Sequence, residues 1–306
     1  MILTVTLNAA LDLTYRVPRL LPHASHRVAR AAERPGGKGL NVARVLAALG
    51  HETVVTGFVG GPTGDTLRRL LAECPGPLTD ALAPITGDTR RTVGVTDDFT
   101  GDTTQLNEAG PHVTPDEWAA FDDRYVRLLR DARAVALCGS LPPGVPVGAY
   151  AHLVREARTR HVPVLLDTSG EPLRRGVAAR PDVVKPNAAE LAALTGSTEP
   201  LRAALATRRR GAHAVAASLG PDGILAVTPD GTWHATPPKS LPGNPTGAGD
   251  SAVAGLLSAW SEGLPWPDRL TRAVALSAAT VRAPAAGEFD RAVYEETLGH
   301  VRVREL

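Results

Sequence analysis

Short apolar and β-branched runs alternate with segments of helical period along most of this 306-residue chain, and that rhythm restricts the fold more than any other feature. Residues 2–7, 53–59, 134–138, 162–167, 181–184, 212–218, 223–227 and 232–235 read as strands. Between them, Val42, Val45, Leu46 and Leu49 recur at i, i+3, i+4 and i+7, predicting a helix over 39–49 that Gly50 stops. The same spacing in Leu67, Leu70, Leu71 and Cys74 predicts another helix, with Cys74 as a core thiol. Thr114-Pro115-Asp116-Glu117 is a capping box with proline at the first helical position. Further helices are expected over 147–160, from Ala188, and near 199–210, 248–262, 267–281 and 289–300. Alternation of this length implies an α/β fold in three layers, a mostly parallel central sheet covered by helices on both faces.

Two stretches leave this rhythm. Residues 11–17 with 26–32, and 91–96 with 103–107, alternate in the period of half-exposed strands. With turns at Pro22-His23 and Thr100-Gly101, they predict a small antiparallel sheet beside the main body. This is a lid, inserted at about 11–34 and 88–108 of a single domain that spans residues 1–306. No internal repeat or long linker divides the chain.

Charge and cysteine usage narrow the function classes. With 33 Lys+Arg against 32 Asp+Glu, the net charge of +1 gives no footing for nucleic acid or an anionic membrane. No apolar run approaches the roughly 20 residues that span a bilayer, and residues 1–7 lack the basic start of a signal peptide. Cys74 and Cys138 are too few for a disulfide framework and are not spaced as a metal knuckle. A cytoplasmic chain is expected. Only three lysines, Lys38, Lys185 and Lys239, stand beside 30 arginines, and the first two fall inside motifs.

The strongest motif is Asn244-Pro245-Thr246-Gly247-Ala248-Gly249-Asp250, which runs into a small-residue helix. Such a loop offers free backbone N–H groups and the positive end of the helix dipole to an anion. An aspartate there repels an anion, but suits a base that takes a proton from a hydroxyl attacking phosphorus. A plain glycine turn with Asp250 as a first-turn acid is the bland alternative. Pro35-Gly36-Gly37-Lys38-Gly39-Leu40-Asn41 repeats the architecture near the N-terminus, with a cation and an amide suited to a polyhydroxyl or phosphorylated ligand. The Walker A spacing is absent, which disfavours a P-loop NTPase. Asn187 and Glu190, after Lys185, are spaced as a capping box, or as organisers of water around Mg²⁺. Ser218-Leu219-Gly220-Pro221-Asp222-Gly223 reads as a hairpin turn, and Gly139–Gly144, at 139–144, ends a strand where α/β sheets place ligands.

The order of these motifs is specific. Asn8-Ala9-Ala10-Leu11-Asp12, then GGKGLN at 36–41, GSLPPG at 139–144, DTSG at 167–170, VKPNAAEL at 184–191, SLGPDG at 218–223 and GAGD at 247–250 cover nearly the whole chain. The sequence resembles the ribokinase-like (PfkB) carbohydrate kinases, and within them the 1-phosphofructokinase and tagatose-6-phosphate kinase subgroup. The resemblance implies a β-sheet lid that often mediates homodimerisation, ATP as donor, Mg²⁺ as cofactor and a phosphohexose hydroxyl as acceptor. It makes Asp250 the general base and the Gly247, Ala248 and Gly249 backbone the anion hole. Asp12, Gly37, Lys38, Asn41 and Ser140 would hold the sugar, and Arg90 its phosphate. Lys185, Asn187, Ser218, Gly220 and Gly223 would line the nucleotide side, with Glu190 and Asn187 toward the metal through water. Fructose 1-phosphate, converted to fructose 1,6-bisphosphate, is the first expected substrate; tagatose 6-phosphate and fructose 6-phosphate follow. The chain departs from the subgroup at Ala9, where proline is usual, and at Thr92, where asparagine is usual. A sugar- or nucleotide-binding sensor is the competing class, but binding alone needs no base at position 250.

Overall fold

The computed structural model describes residues 1–29, 31–238 and 241–306. An 11-stranded sheet forms its centre. From Ala214–Ser218 through Val183–Val184, Val164–Asp167, Ala134–Cys138, Ile2–Thr6 and Thr53–Val59 to Leu78–Asp80, neighbouring strands run parallel. On the other side Ile224–Val227, Thr232–Thr236 and Arg302–Glu305 continue the sheet in antiparallel fashion.

Alternation along each central strand feeds two cores. In Ala134–Cys138, Val135 and Leu137 face one layer of helices while Ala134, Ala136 and Cys138 face the other. The first layer includes Pro115–Leu128 and Ala149–Thr159, which bring Phe121, Tyr125, Tyr150 and Leu153 into the sheet. The second is built from Lys38–Ala48, Ala248–Ser261 and Trp266–Val281, through Val42, Val45, Leu46, Leu256, Leu257 and Leu270. Each such side chain contributes about 1.5–3 kcal/mol by leaving water. The two buried tyrosines satisfy their hydroxyls internally: Tyr125 donates to Leu153 O, and Tyr150 to Cys138 O and Gly139 O. Tyr150 thereby pins the strand end that opens onto the site.

The lid is a separate four-stranded sheet in the order Ala32–Gly36, Ala10–Val17, Arg90–Asp97, Thr103–Asn107. Two expectations are corrected here. The sheet is mixed, because Ala10–Val17 and Arg90–Asp97 pair in parallel. Its fourth strand is Ala32–Gly36, and none of the described residues from 26 to 31 is in a strand. Arg30 and Lys239 lie outside those residues. Cys74 is half-buried beyond the end of Gly61–Ala72, its thiol donating to Leu70 O, and sits at the rim of a small core.

Candidate active site

Parallel strands present their carboxyl ends along one edge of the sheet, and the lid faces that edge. A cavity of about 770 Å³ lies between them. Of the residues singled out from the sequence, it is lined by Asp12, Gly37, Lys38, Asn41, Arg90, Lys185, Asn187, Glu190, Ser218, Gly220, Gly223 and the whole 247–250 turn. Ser140 is the exception. Its hydroxyl accepts from Asn8 Nδ2 at 3.1 Å, and it does not line this cavity.

Two helix starts meet at the floor. Lys38–Ala48 begins after Gly37 and Ala248–Ser261 after Gly247, neither with a side-chain cap. Gly247 has φ 85°, and a Cβ there would lie 2.6 Å from Ala286 Cβ, so both conformation and space demand glycine. In the turn, the Ala248 N–H donates to Pro245 O at 3.1 Å. The amides of Gly247, Gly249 and Asp250 have no acceptor among the described residues. Of the three amides expected to form an anion hole, those of Gly247 and Gly249 are thus open, that of Ala248 is engaged in closing the turn, and the Asp250 amide is open beside them.

Asp250 is 8% exposed. Its Oδ2 accepts from Asn41 Nδ2 at 2.9 Å, while Oδ1 has no partner among the described residues. Burial, reinforced by the negative charge of Asp167, raises its pKa to about 6; the Asn41 hydrogen bond and the ammonium groups of Lys38 and Lys185 oppose the rise. A carboxylate poised there is ionised at neutral pH yet basic enough to take a hydroxyl proton.

Asp167 was legible only as part of a motif, and the structure gives it a place of its own. It ends the strand Val164–Asp167, is 1% exposed, and accepts from Lys38 Nζ at 3.0 Å, with Lys185 Nζ 3.5 Å from its other oxygen. One buried carboxylate thus joins the lysine of the N-terminal turn, Lys38, to Lys185 at the end of the neighbouring strand. Burial lowers the Lys38 pKa, but the charges of Asp167 and Asp250 outweigh it and hold the ammonium above its ordinary value. The signal available beforehand was an acid closing a fully apolar run, Val-Leu-Leu-Asp.

On the side expected to take the nucleotide, Asn187 and Glu190 form a reciprocal capping box. Asn187 Oδ1 accepts from the Glu190 amide and Glu190 Oε2 from the Asn187 amide, both at 2.8 Å. Asn187 also bridges to Ser218, which brings the turn Gly220–Asp222 beside it. The lid supplies the opposite wall. Asp12 pairs in register with Thr92, and Thr92 with Asn107, so alternation turns these three to the cavity together with Gln105. Burial raises the Asp12 pKa to about 6 against the pull of Arg90 and a hydrogen bond from Thr92. Gln105 and Asn107 escaped the sequence reading because an exposed strand of Thr, Gln, Leu and Asn carries no motif. Arg90 donates through Nε to Asn8 O at 3.2 Å and through Nη1 to Glu108 O at 3.1 Å, and borders a second cavity of about 520 Å³.

A carboxylate with one free oxygen, a nest of unclaimed amides beside it and two lysines across from it make a site for moving a phosphoryl group onto an alcohol. Known proteins agree. The model of the pfkB family carbohydrate kinases matches residues 3–291. A 1-phosphofructokinase of Rhodobacter capsulatus is 39% identical over 282 residues, 90% of this chain and 89% of that one. A possible 1-phosphofructokinase of Thermotoga maritima superposes with a TM-score of 0.91 at 28% identity, over 100% of this chain and 99% of that chain. Phosphofructokinase-2 of Escherichia coli, solved with fructose-6-phosphate, superposes with a TM-score of 0.89 at 27% identity over 98% of each chain. No described helix is long and apolar enough to cross a membrane. The chain belongs to the pfkB family and is an ATP-dependent carbohydrate kinase.

Proposed function

We propose that the protein transfers the γ-phosphoryl group of ATP to the 6-hydroxyl of fructose 1-phosphate, forming fructose 1,6-bisphosphate. The observation that carries this reading is Asp250, whose Oδ1, like the three amides beside it, has no partner among the described residues, in the cavity that Arg90 also lines. Asp250 takes the hydroxyl proton as the oxygen attacks phosphorus, and the amides meet the charge on the phosphoryl oxygens. Lys185, Asn187, Ser218, Gly220 and Gly223 form the nucleotide wall, Asp12, Gly37 and Lys38 the sugar wall. The name of the Rhodobacter relative favours fructose 1-phosphate over fructose 6-phosphate and tagatose 6-phosphate.

Mg²⁺ fits this wall through water. Glu190 keeps Oε1 outside its capping box and borders the cavity, whereas Asn187 has already committed its oxygen to the Glu190 amide. No group of three described His, Cys, Asp or Glu residues forms a direct metal cage. When bound with ATP, the ion neutralises phosphate charge; Glu190 would hold its hydration shell. Such an enzyme works in the cytoplasm, where its nucleotide is.

An ATP-to-ADP assay over fructose 1-phosphate, tagatose 6-phosphate, fructose 6-phosphate and free fructose tests the reading. Fructose 1-phosphate is expected to give the highest kcat/KM. Arg90→Ala should raise KM for that substrate by about 10–100-fold, the loss of a charge-assisted bond, and leave free fructose unaffected. Equal discrimination by variant and wild type would remove Arg90 from the phosphate site.

The lid supports a homodimer. Leu13, Val93 and Leu106 are neighbours in register, opposite in alternation to Asp12, Thr92 and Asn107, and so form an apolar outer face. Leu106 is 61% exposed there, a candidate contact for a second copy of the lid. Leu106→Glu should shift sedimentation from dimer to monomer; a wild-type monomer would end this part of the proposal.

A further inference from the structure

We propose that Asn41 is a positioning residue for the base. It holds one oxygen of Asp250 so that the other faces the acceptor hydroxyl, instead of serving chiefly as a ligand for the sugar. This rests on the phosphotransfer reading above.

The geometry is specific. Asn41 lies in the first turn of Lys38–Ala48, and Asp250 in the first turn of Ala248–Ser261, 209 residues away. Their 2.9 Å hydrogen bond is the contact that ties the two glycine turns at the level of the reacting atoms. Asn41 is 6% exposed, and its Oδ1 is buried with no hydrogen-bond partner among the described residues, next to the backbone of Gly287. An amide donates only through nitrogen and an ionised carboxylate only accepts, so the bond to Asp250 fixes which way the amide points. One Asn41 N–H then serves the base and the oxygen is enclosed by protein, which leaves a sugar only the second N–H. For Asp250 the bond does two things. It removes rotational freedom from the carboxylate, where small misplacements cost rate, and it favours the ionised form that a base requires.

The groups that face Asp250 are Asp167, from the strand Val164–Asp167, Lys38, Lys185 and the Cys138 thiol. Burial pushes that thiol well above its ordinary pKa, so it stays protonated and neutral throughout the range of interest. These flanking groups are unchanged in every variant below, so any shift comes from position 41 itself. Asp12, which titrates in the same range on the lid, is also common to all of them.

Purified Asn41→Asp and Asn41→Leu enzymes would be compared with wild type by kcat, by KM for both substrates, and by kcat/KM from pH 5 to 9. Asn41→Asp keeps the shape, but it offers Asp250 a like charge instead of a donor. Its acid limb should move to higher pH by about one unit or more, and its kcat at pH 7 should fall about 10–100-fold. KM for the phosphosugar should change less than about threefold. Asn41→Leu, which removes the donor without adding charge, should move the limb in the same direction by less. A KM for sugar raised tenfold or more, with kcat and the acid limb unmoved, would overturn the proposal in favour of a sugar ligand. Should Asn41→Leu prove unstable, the near-isosteric Asn41→Asp decides alone. Absence of kinase activity in wild type would defeat the phosphotransfer reading itself, which an active wild type with unaltered variants would leave standing.

Discussion

Asp250→Asn will lower kcat by about 10²–10⁴-fold, the usual contribution of a positioned base, while the protein binds ATP as before. Asparagine fills the same space beside Asn41 but has no lone pair basic enough for a hydroxyl proton. The amides of Gly247, Gly249 and residue 250 are backbone groups and survive the change, so residual turnover will exceed zero. The substitution also has a signature in stability. The native Asp250 carboxyl, at about 6, holds its proton more tightly than an unfolded one at 3.8. Its stabilising contribution is therefore complete below the unfolded value and is lost as pH rises through about 6. At pH 7.5 the ionised buried group costs the native state about 3 kcal/mol, a cost that asparagine does not carry. Asp250→Asn should accordingly melt above wild type at pH 7.5, with the difference shrinking toward pH 5. Calorimetry at the two pH values and steady-state kinetics check both halves. Turnover within a few-fold of wild type would remove Asp250 as the base, and a melting difference that does not depend on pH would remove its burial as the cause.

This trade between activity and stability was partly legible in the chain. The 247–250 turn shows as a small-residue loop running into a helix, its acid gains meaning from the order of the motifs around it, and the strand Thr53–Val59 follows directly from its apolar run. What escaped has physical reasons. The lid strand Ala32–Gly36 contains Pro35 and Gly36, residues that argue against a strand; it tolerates them because it lies at a sheet edge, where no outer neighbour needs the missing N–H. Arg302–Glu305 is likewise an edge strand, and its charges, which block further pairing, hide the pattern. The helix Gly170–Ala178 shows only Leu173 and Val177 as an apolar pair, too little for a period. Pairings across long separations left no local trace: the Asn41–Asp250 bond spans 209 residues and the Lys38–Asp167 pair 129. Local spacing locates the turns, but only the sheet decides which turns face one another.

Asp167 is where that convergence carries the largest energetic consequence. Its carboxylate is the partner of a lysine whose side chain is 4% exposed, Lys185, and of Lys38 at 39%. Removing one member of a buried pair leaves an uncompensated charge, which costs about 3–5 kcal/mol; Lys38, nearer to solvent, adds little to that figure. Asp167→Leu should therefore lower Tm by roughly 10 °C, and Asp167→Leu with Lys185→Met should recover most of the loss, because no buried charge then remains. Activity should stay low in the double variant, since the Lys185 ammonium that lines the cavity is gone. The milder Asp167→Asn separates electrostatics from packing. It keeps the shape, removes the like charge that raises the Asp250 pKa, and frees both ammonium groups to act on Asp250. The acid limb of kcat/KM should then move to lower pH, opposite to the displacement expected for Asn41→Asp. Two substitutions on either side of one carboxylate that shift its titration in opposite directions follow from a single arrangement of charges, and a common direction would contradict it.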